Sequence, residues 1–409
     1  MSASLGGGSE ALRGRHGSPR RLPRALVVLA VVVAGFVALG APGTAGAARP
    51  LQDPSAGPAA EASHPPPDDP FVLAHYYIWF DERSWSRAKR DLPALGPYSS
   101  SDAVVLTTHV RQAKAAGIDG FIVSWKSTEV LDPRLDELVR IAEAEDFKLA
   151  ITYQGLDFDR NPQPIERVAS DLDRFIDVYA DSPAFDLFGK PLIAWSGTWE
   201  YDPAELALVT MPRRERLLIL ATEKNVADYE RLAPFVDGNQ YYWASVNPAT
   251  FPDYPAKLVA MGEAVRAHDG WWIAPVAPGF DARMVGGTSE VPRDDGDVLR
   301  REWNGAAQSL PDALGIISWN EFSENTHIEP SRQHGSRYLD IVADLAGGTA
   351  AGTAIEFDSS DPGGRVSERL GIIARIAMLV AFVAGIVLSG AVAQRARNRR
   401  RGRTAQTVL

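Results

Sequence analysis

The chain has 409 residues, of which 45% are hydrophobic and 23% charged, and it contains no cysteine. That composition describes a globular protein with a sizeable core, and the missing thiols exclude disulfides, thiolate nucleophiles, zinc–thiolate sites and iron–sulfur clusters. Net charge is −10, but five arginines against one glutamate before Ala25 and six arginines after Ala393 leave −20 on the remainder. So acidic a middle repels phosphate backbones and has no Lys/Arg run with interleaved aromatics, which argues against nucleic acid as a partner.

In chain order, residues 1–47 read as an export signal. Arg13, Arg15, Arg20, Arg21 and Arg24 precede an apolar run from Ala25 to Leu39, and Ala45-Gly46-Ala47 offers small residues for cleavage. An uncleaved anchor is the alternative, because the run approaches spanning length. Residues 48–70 form a Pro/Ala-rich linker before the folded part, 71–346, and a second flexible linker covers 347–369. Residues 370–393 carry one charge, Arg375, and are long enough for a transmembrane helix of about 20 residues. Six arginines in the basic tail, 394–409, belong on the cytoplasmic side. The expectation is therefore a single-pass cell-membrane protein whose C-terminal helix meets the lipid and whose acidic domain faces outward.

Between 71 and 346, short apolar runs alternate with amphipathic segments, the pattern of βα repeats around a parallel sheet. The predicted strands are Val72–Trp79, Gly120–Trp125, Lys148–Tyr153, Pro191–Trp195, Leu217–Ala221, Gly238–Trp243, Trp271–Val276 and Leu314–Trp319. The clearest predicted helices are Ala103–Ala116, Leu135–Ala144, Ile165–Tyr179, Pro255–His268 and Val298–Gln308, with Ser336–Ala346 closing the ring. Asp102 and Asp132 are expected to cap the helices they precede. Eight units in one span fit a single (β/α)8 TIM barrel better than an open doubly wound sheet, and no G-x-G-x-x-G follows the first strand.

A TIM barrel places its site at the C-terminal strand ends. There the sequence offers aromatics at Tyr76, Tyr77, Trp79, Trp125, Tyr153, Trp195, Trp199, Tyr241, Tyr242 and Trp243. It also offers acids at Asp157, Asp159, Glu200, Glu223, Asp281, Glu321 and Glu324. Aromatic platforms with convergent carboxylates suit sugar rings. The sharpest signal is Ser318-Trp319-Asn320-Glu321-Phe322-Ser323-Glu324-Asn325-Thr326-His327-Ile328-Glu329-Pro330, leaving the eighth strand. Glycoside cleavage needs one group to protonate the departing oxygen and another to act near the anomeric carbon, and two carboxyls in different environments supply both. Elsewhere Glu-x-x-Glu is commonly an exposed helix face, so its place after the last barrel strand gives it weight.

At these residues the chain resembles glycoside hydrolase family 99, the endo-α-mannosidase and endo-α-1,2-mannanase group, within the wider family 71/99-like set. The resemblance rests on HYYIWF at His75–Phe80, LGPYSSSD at Leu95–Asp102, AGIDGFIVSW at Ala116–Trp125, VAPGF at Val276–Phe280 and SWNEFSENTHIEPS at Ser318–Ser331. The family's closing motif, N-E-W-H-E-G-T-x-I-E, is matched at Asn320, Glu321, Glu324, Thr326, Ile328 and Glu329. The resemblance implies retention of configuration through a 1,2-anhydro sugar. Glu321 would be the base assisting the substrate 2-hydroxyl, and Glu324 the general acid and then base. It further implies sugar contacts from Tyr76 or Tyr77, Trp125, Tyr153, and Tyr241 or Tyr242, with Asn320 and Glu329 in the motif. The family's recognition arginine falls at Arg283 or Arg293, of which Arg283 is taken as the candidate. Phe322, Ser323 and Asn325 replace the family's Trp, His and Gly, and Gln154 stands where a glutamate is common. These departures put α-mannan specificity in question.

The expected function is cleavage of an α-linked, mannan-like oligosaccharide or polysaccharide, with no cofactor and no metal. His327 is taken to order its loop, since the seven histidines show no H-E-x-x-H or paired-ligand spacing. Two alternatives keep the same residues: a glycan-remodelling transglycosylase, and a silent glycan-binding surface protein.

Overall fold

The structure is a computed structural model that describes residues 65–349 except 88 and 158. The expected signal segment (1–47), transmembrane helix (370–393) and basic tail (394–409) lie outside the described residues, as do most of both linkers. Among the described residues no helix is long and apolar enough to cross a membrane.

Among the described residues ten strands form in chain order: β1 (Phe71–Tyr77), β2 (Gly120–Trp125), β3 (Lys148–Gln154), β4 (Leu192–Ser196), β5 (Leu218–Leu220), β6 (Gly238–Gln240), β7 (Trp271–Val276), β8 (Phe280–Asp281), β9 (Glu290–Val291) and β10 (Ala313–Ile316). Eight make one parallel sheet in the order β5-β4-β3-β2-β1-β10-β7-β6, while β8 and β9 pair as an antiparallel flap. The two edge strands meet through a parallel bridge between Ala221 and Asn239, so the sheet curls into a nearly closed eight-stranded ring. Helices α1 (Ala103–Ala115), α2 (Leu131–Ala144), α3 (Ile165–Tyr179), α4 (Pro203–Thr210), α5 (Val226–Leu232), α6 (Tyr254–Ala267), α7 (Asp297–Ala307) and α8 (Arg337–Ala346) complete the βα units of a TIM barrel.

All eight expected strands are present: β2 and β7 match to the residue, β3 runs one residue longer, β4 is shifted by one, and β1, β5, β6 and the last strand end earlier. The last stops at Ile316 rather than Trp319 because the chain turns back on itself there. Ser318 N–H donates to Thr326 C=O (3.0 Å) and Ile328 N–H to Ser318 C=O (2.9 Å). Gly238 opens β6 at φ +149°, where an added Cβ would lie 2.0 Å from Trp271 C=O; only glycine lets β6 seat against β7. Asp102 caps α1 through Val104 N–H as expected. Asp132 does otherwise: α2 begins at Leu131, and the Asp132 carboxylate instead accepts from Trp125 Nε1 (3.0 Å) and Ser127 Oγ (2.9 Å), tying strand end to helix start.

Strand alternation divides the side chains into two layers. Leu73, Ile122, Ala150, Leu192, Leu220, Ile273 and Ala313 fill the barrel's N-terminal end as one apolar plug. The outward set, including Val72, Ala74, Tyr76, Phe121, Val123, Trp125, Ile151 and Tyr153, packs beneath the helices as the main core. Further up the strands the interior turns polar, with His75, Tyr77, Ser124, Gln154 and Gln240, and this gradient places the chemistry at the C-terminal mouth.

Candidate active site

The turn after β10 builds the site. Asn320 is buried and reaches back to β1: its Oδ1 accepts from Tyr77 N–H (2.9 Å), and its Nδ2 donates to Tyr77 C=O (3.0 Å) and to Tyr98 Oη (3.3 Å). Glu321 follows. Its backbone N–H donates to Ser318 Oγ (2.8 Å), and its Oε1 accepts from Ser323 N–H (2.8 Å). Thr326 N–H closes the turn on Glu321 C=O (3.2 Å), and Asp281 N–H holds Glu324 C=O (2.7 Å). Asn325 takes a left-handed φ of 55°, a conformation asparagine tolerates better than most residues and one that the family's glycine adopts freely.

Both carboxyls are buried, Glu321 at 4% and Glu324 at 3% exposure, but their surroundings differ. Burial raises the Glu321 pKa, and the Ser323 backbone donor and the Lys89 charge pull it back. Glu324 is driven well above the ordinary carboxyl range by burial and then by the Glu321 charge, and its Oε2 has no hydrogen-bond partner. One group therefore ionises more readily while its neighbour holds its proton, the division an acid/base pair requires. Tyr77 and Tyr242, from β1 and the end of β6, join hydroxyl to hydroxyl, and both phenols lie within electrostatic reach of the two carboxyls. Trp79 stacks on Tyr77 (4.4 Å between centroids) and is partly exposed at the mouth. Below them His75 meets Gln240 (2.9 Å) and the Tyr242 ring edge, and burial lowers its pKa to about 3, so the imidazole stays neutral.

The structure thus brings Tyr77, Tyr242, Asn320, Glu321 and Glu324 together. It does not bring in Tyr76, Trp125, Tyr153 or Tyr241, which point outward into the layer under the helices. Tyr76 Oη pairs with His109 Nδ1 (2.9 Å), Tyr153 Oη donates to Asp171 (3.1 Å), and Trp125 serves Asp132. Tyr241 is buried, with no partner for its hydroxyl. The expectation that they contact sugar fails because each sits one residue out of phase with the interior face. Glu329 is likewise interior to the protein. It accepts from Tyr98 Oη (2.8 Å), and its other oxygen lies 3.2 Å from His109 Nε2, so Tyr76, His109, Glu329, Tyr98 and Asn320 form one buried cluster that ends on the Tyr77 backbone. Tyr98 and His109 were absent from the candidates; the LGPYSSSD motif was the available signal for Tyr98.

Arg283 lies on the flap, 39% exposed, neutralised by Asp281 (2.8 Å) and by Glu290. Arg293 is the buried arginine, donating to Asn325 C=O (2.9 Å) and His327 C=O (2.8 Å) and lying over the Tyr338 ring (4.3 Å). It braces the carboxylate turn. Phe322 and His327 stack behind that turn (3.9 Å between centroids). Asp91, His327 and His334 are the group among the described residues that could hold a cation, with donor atoms within 4.8 Å of one another. The Arg293 guanidinium, from the loop before α7 and 3.5 Å from His327 Nδ1, opposes a dication there. A cavity of about 280 Å³ lined by Arg90, Asp281, Arg293 and His334 adjoins that group and touches the carboxylate turn only at Asn325.

Comparison with known proteins follows this geometry. Residues 87–346 match the family "Glycosyl hydrolase family 99". The chain is 23% identical over 308 residues to glycoprotein endo-alpha-1,2-mannosidase of Rattus norvegicus, covering 68% of this chain and 62% of that one. It is 25% identical over 278 residues to a glycoprotein endo-alpha-1,2-mannosidase-like protein of Homo sapiens, covering 61% and 60%. The chain thus spans about three-fifths of the length of these relatives. The barrel superposes on a GH99 endo-alpha-mannosidase from Bacteroides thetaiotaomicron with a TM-score of 0.60 at 22% identity, covering 68% of this chain and 96% of that one. With the matched span covering well over half of the sequence and enclosing both carboxyls, the chain belongs to glycosyl hydrolase family 99.

Proposed function

We propose that this protein is a retaining glycoside hydrolase that cleaves α-linked, mannan-like glycans with Glu324 as general acid/base and Glu321 as the base assisting the sugar 2-hydroxyl. The observation that carries this reading is the contrast within one buried pair: Glu321 bonded to a backbone N–H, Glu324 with a free, buried Oε2. In the first step protonated Glu324 gives its proton to the departing glycosidic oxygen. Glu321 takes the 2-hydroxyl proton as that oxygen attacks C1, closing a 1,2-anhydro ring. In the second, Glu324 deprotonates a water that opens the ring at C1, and Glu321 returns its proton to the 2-oxygen. No net proton is gained or lost, and the anomeric configuration is inverted twice. The Tyr77–Tyr242 hydroxyls supply hydrogen bonds beside the carboxyls, and Trp79 offers an aromatic face. The apolar segment at 370–393 and its arginine-rich flank support an outward-facing, membrane-held domain.

The test is incubation of the full chain with a panel of α-mannans and α-glucans, following released oligosaccharides by mass spectrometry beside Glu321→Gln and Glu324→Gln. Release from an α-mannan that both substitutions abolish supports the reading. Binding without release by the wild-type protein would replace it with a glycan-binding role.

A further inference from the structure

The chain has only seven lysines, and the fold sorts them. Lys114, Lys148 and Lys190 lie at the N-terminal end of the barrel and each is tied down. Lys114 bonds Glu145 C=O (2.6 Å), Lys148 pairs with Asp186 (2.7 Å), and Lys190 donates to Arg214 C=O (2.8 Å). The other four, Lys89, Lys126, Lys224 and Lys257, follow strand ends on the catalytic face of a protein whose middle carries a large negative charge, and of these Lys89 donates to Ser84 C=O (2.9 Å) and Lys126 is also engaged. Lys224 and Lys257 lie over partly exposed tryptophans, Lys224 Nζ 5.0 Å from the Trp199 ring and Lys257 Nζ 5.0 Å from the Trp243 ring. Arg160 joins Lys224 from the loop after β3, close enough to act electrostatically on both Lys224 and Glu324. Neither Lys224 nor Arg160 makes an ion pair among the described residues. Arg160, Trp199 and Lys224 stand on the loops after β3, β4 and β5, three neighbouring strands, so an aromatic face and two unspent cations share one sector of the mouth.

The nearby acids do not cancel this sector outright. Asp157 spends its oxygens on Asn161 and on Asp159 N–H, and Glu223 is buried against Thr198 (2.7 Å). Asp159 and Glu200 remain on the rim and limit the gain. Lysine and arginine donate to neutral hydroxyls as well, but two cations beside a stacking platform gain most from a sugar bearing an oxyanion, through charge-assisted hydrogen bonds.

Resting on the glycosidase reading above, we propose that the glycan accepted at this mouth carries an anionic group, a phosphate or a carboxylate, held by Lys224 and Arg160 beside Trp199. The experiment uses the full chain with Glu324→Gln, to allow binding without turnover. It is titrated calorimetrically with a neutral α-mannooligosaccharide, its phosphorylated form and a uronate-bearing α-linked form. The anionic ligands should bind roughly tenfold tighter than the neutral one at low salt, for two partly exposed charge contacts. The preference should shrink as salt is raised, disappear with Lys224→Ala/Arg160→Gln, and persist with Lys148→Ala at the opposite end. Whichever anionic ligand gains more identifies the group. Equal binding of neutral and anionic ligands, a preference that survives the double substitution, or no binding of any ligand overturns the proposal. Turnover by the wild-type chain keeps the two readings apart: cleavage of the neutral ligand without anionic preference leaves the glycosidase reading standing, and no cleavage of any ligand sinks both.

Discussion

Replacing Asn320 by alanine removes the clamp between the carboxylate turn and β1. The side chain makes three hydrogen bonds, two to the Tyr77 backbone at 2.9 and 3.0 Å and one to Tyr98 Oη at 3.3 Å, all buried. Each such bond contributes about 1 kcal/mol net, and leaving buried partners unmet costs more, so the expected loss is about 2–4 kcal/mol. For a barrel of this size that corresponds to a fall in Tm of roughly 4–8 °C, at about 2 °C per kcal/mol. Thermal unfolding followed by circular dichroism reads the shift. Asn320→Asp should not restore stability, because the atom facing Tyr77 C=O and Tyr98 Oη changes from donor to acceptor. Turnover should fall further than stability alone explains, because Tyr77 and Glu321 flank the clamp. A Tm within about 1 °C of wild type would refute the reasoning, since it would mean the Tyr77 backbone finds replacement partners within the core.

The two adjacent tyrosines offer a second check. Tyr242→Phe should lower kcat/KM roughly 10-fold or more through its hydroxyl beside the carboxyls, while Tyr241→Phe, whose buried hydroxyl has no partner, should leave kinetics alone and stability equal or higher. Trp125→Phe should cost about 1–3 kcal/mol through the lost Asp132 bond and the vacated volume, with KM unchanged, since the ring faces the helices. The carboxyl pair also links pH to stability. Both groups have folded pKa values raised above the unfolded carboxyl, so the folded state binds the extra protons, and stability falls as pH rises through the unfolded value toward the folded ones. Glu324→Gln should therefore match wild type near pH 4 and exceed it in Tm at pH 7–8. The pH profile of kcat/KM should be bell-shaped, its acid limb set by Glu321 above the usual carboxyl range and its alkaline limb by Glu324.

The barrel was legible because each βα unit carries its own signal: apolar runs such as Phe121–Val123 and Leu149–Ile151 are bounded by amphipathic helices with readable caps like Asp102. The carboxyl pair was legible because Glu321 and Glu324 sit in a motif directly after the last strand. What misled was the side of the sheet. In a parallel barrel both strand faces are buried, so Ala74-His75-Tyr76-Tyr77 shows no apolar–polar contrast, and composition alone cannot say that Tyr77 faces inward and Tyr76 outward. The three-residue β6 sharpened the difficulty at Tyr241 and Tyr242. Phase can be recovered from polar residues, since His75, Ser124, Gln154 and Gln240 mark the inner face toward the mouth. No local cue separates Arg283 from Arg293; the burial of Arg293 arises from contacts with Asn325 and His327, some thirty residues away. The lysines show the same limit, being scattered in sequence and gathered only by the closing of the sheet.

The assignment of roles within the carboxyl pair is tested most directly by leaving-group dependence. Protonation of the departing oxygen matters only when that oxygen is a poor leaving group. An activated aryl α-mannoside and a natural α-mannan oligosaccharide, assayed with Glu321→Gln and Glu324→Gln, separate the two functions. Glu324→Gln should retain most of its first-step rate on the aryl substrate and lose roughly 10³-fold or more on the natural one, while Glu321→Gln should lose activity on both. Equal losses on both substrates in Glu324→Gln, or full activity in Glu321→Gln, would contradict the account.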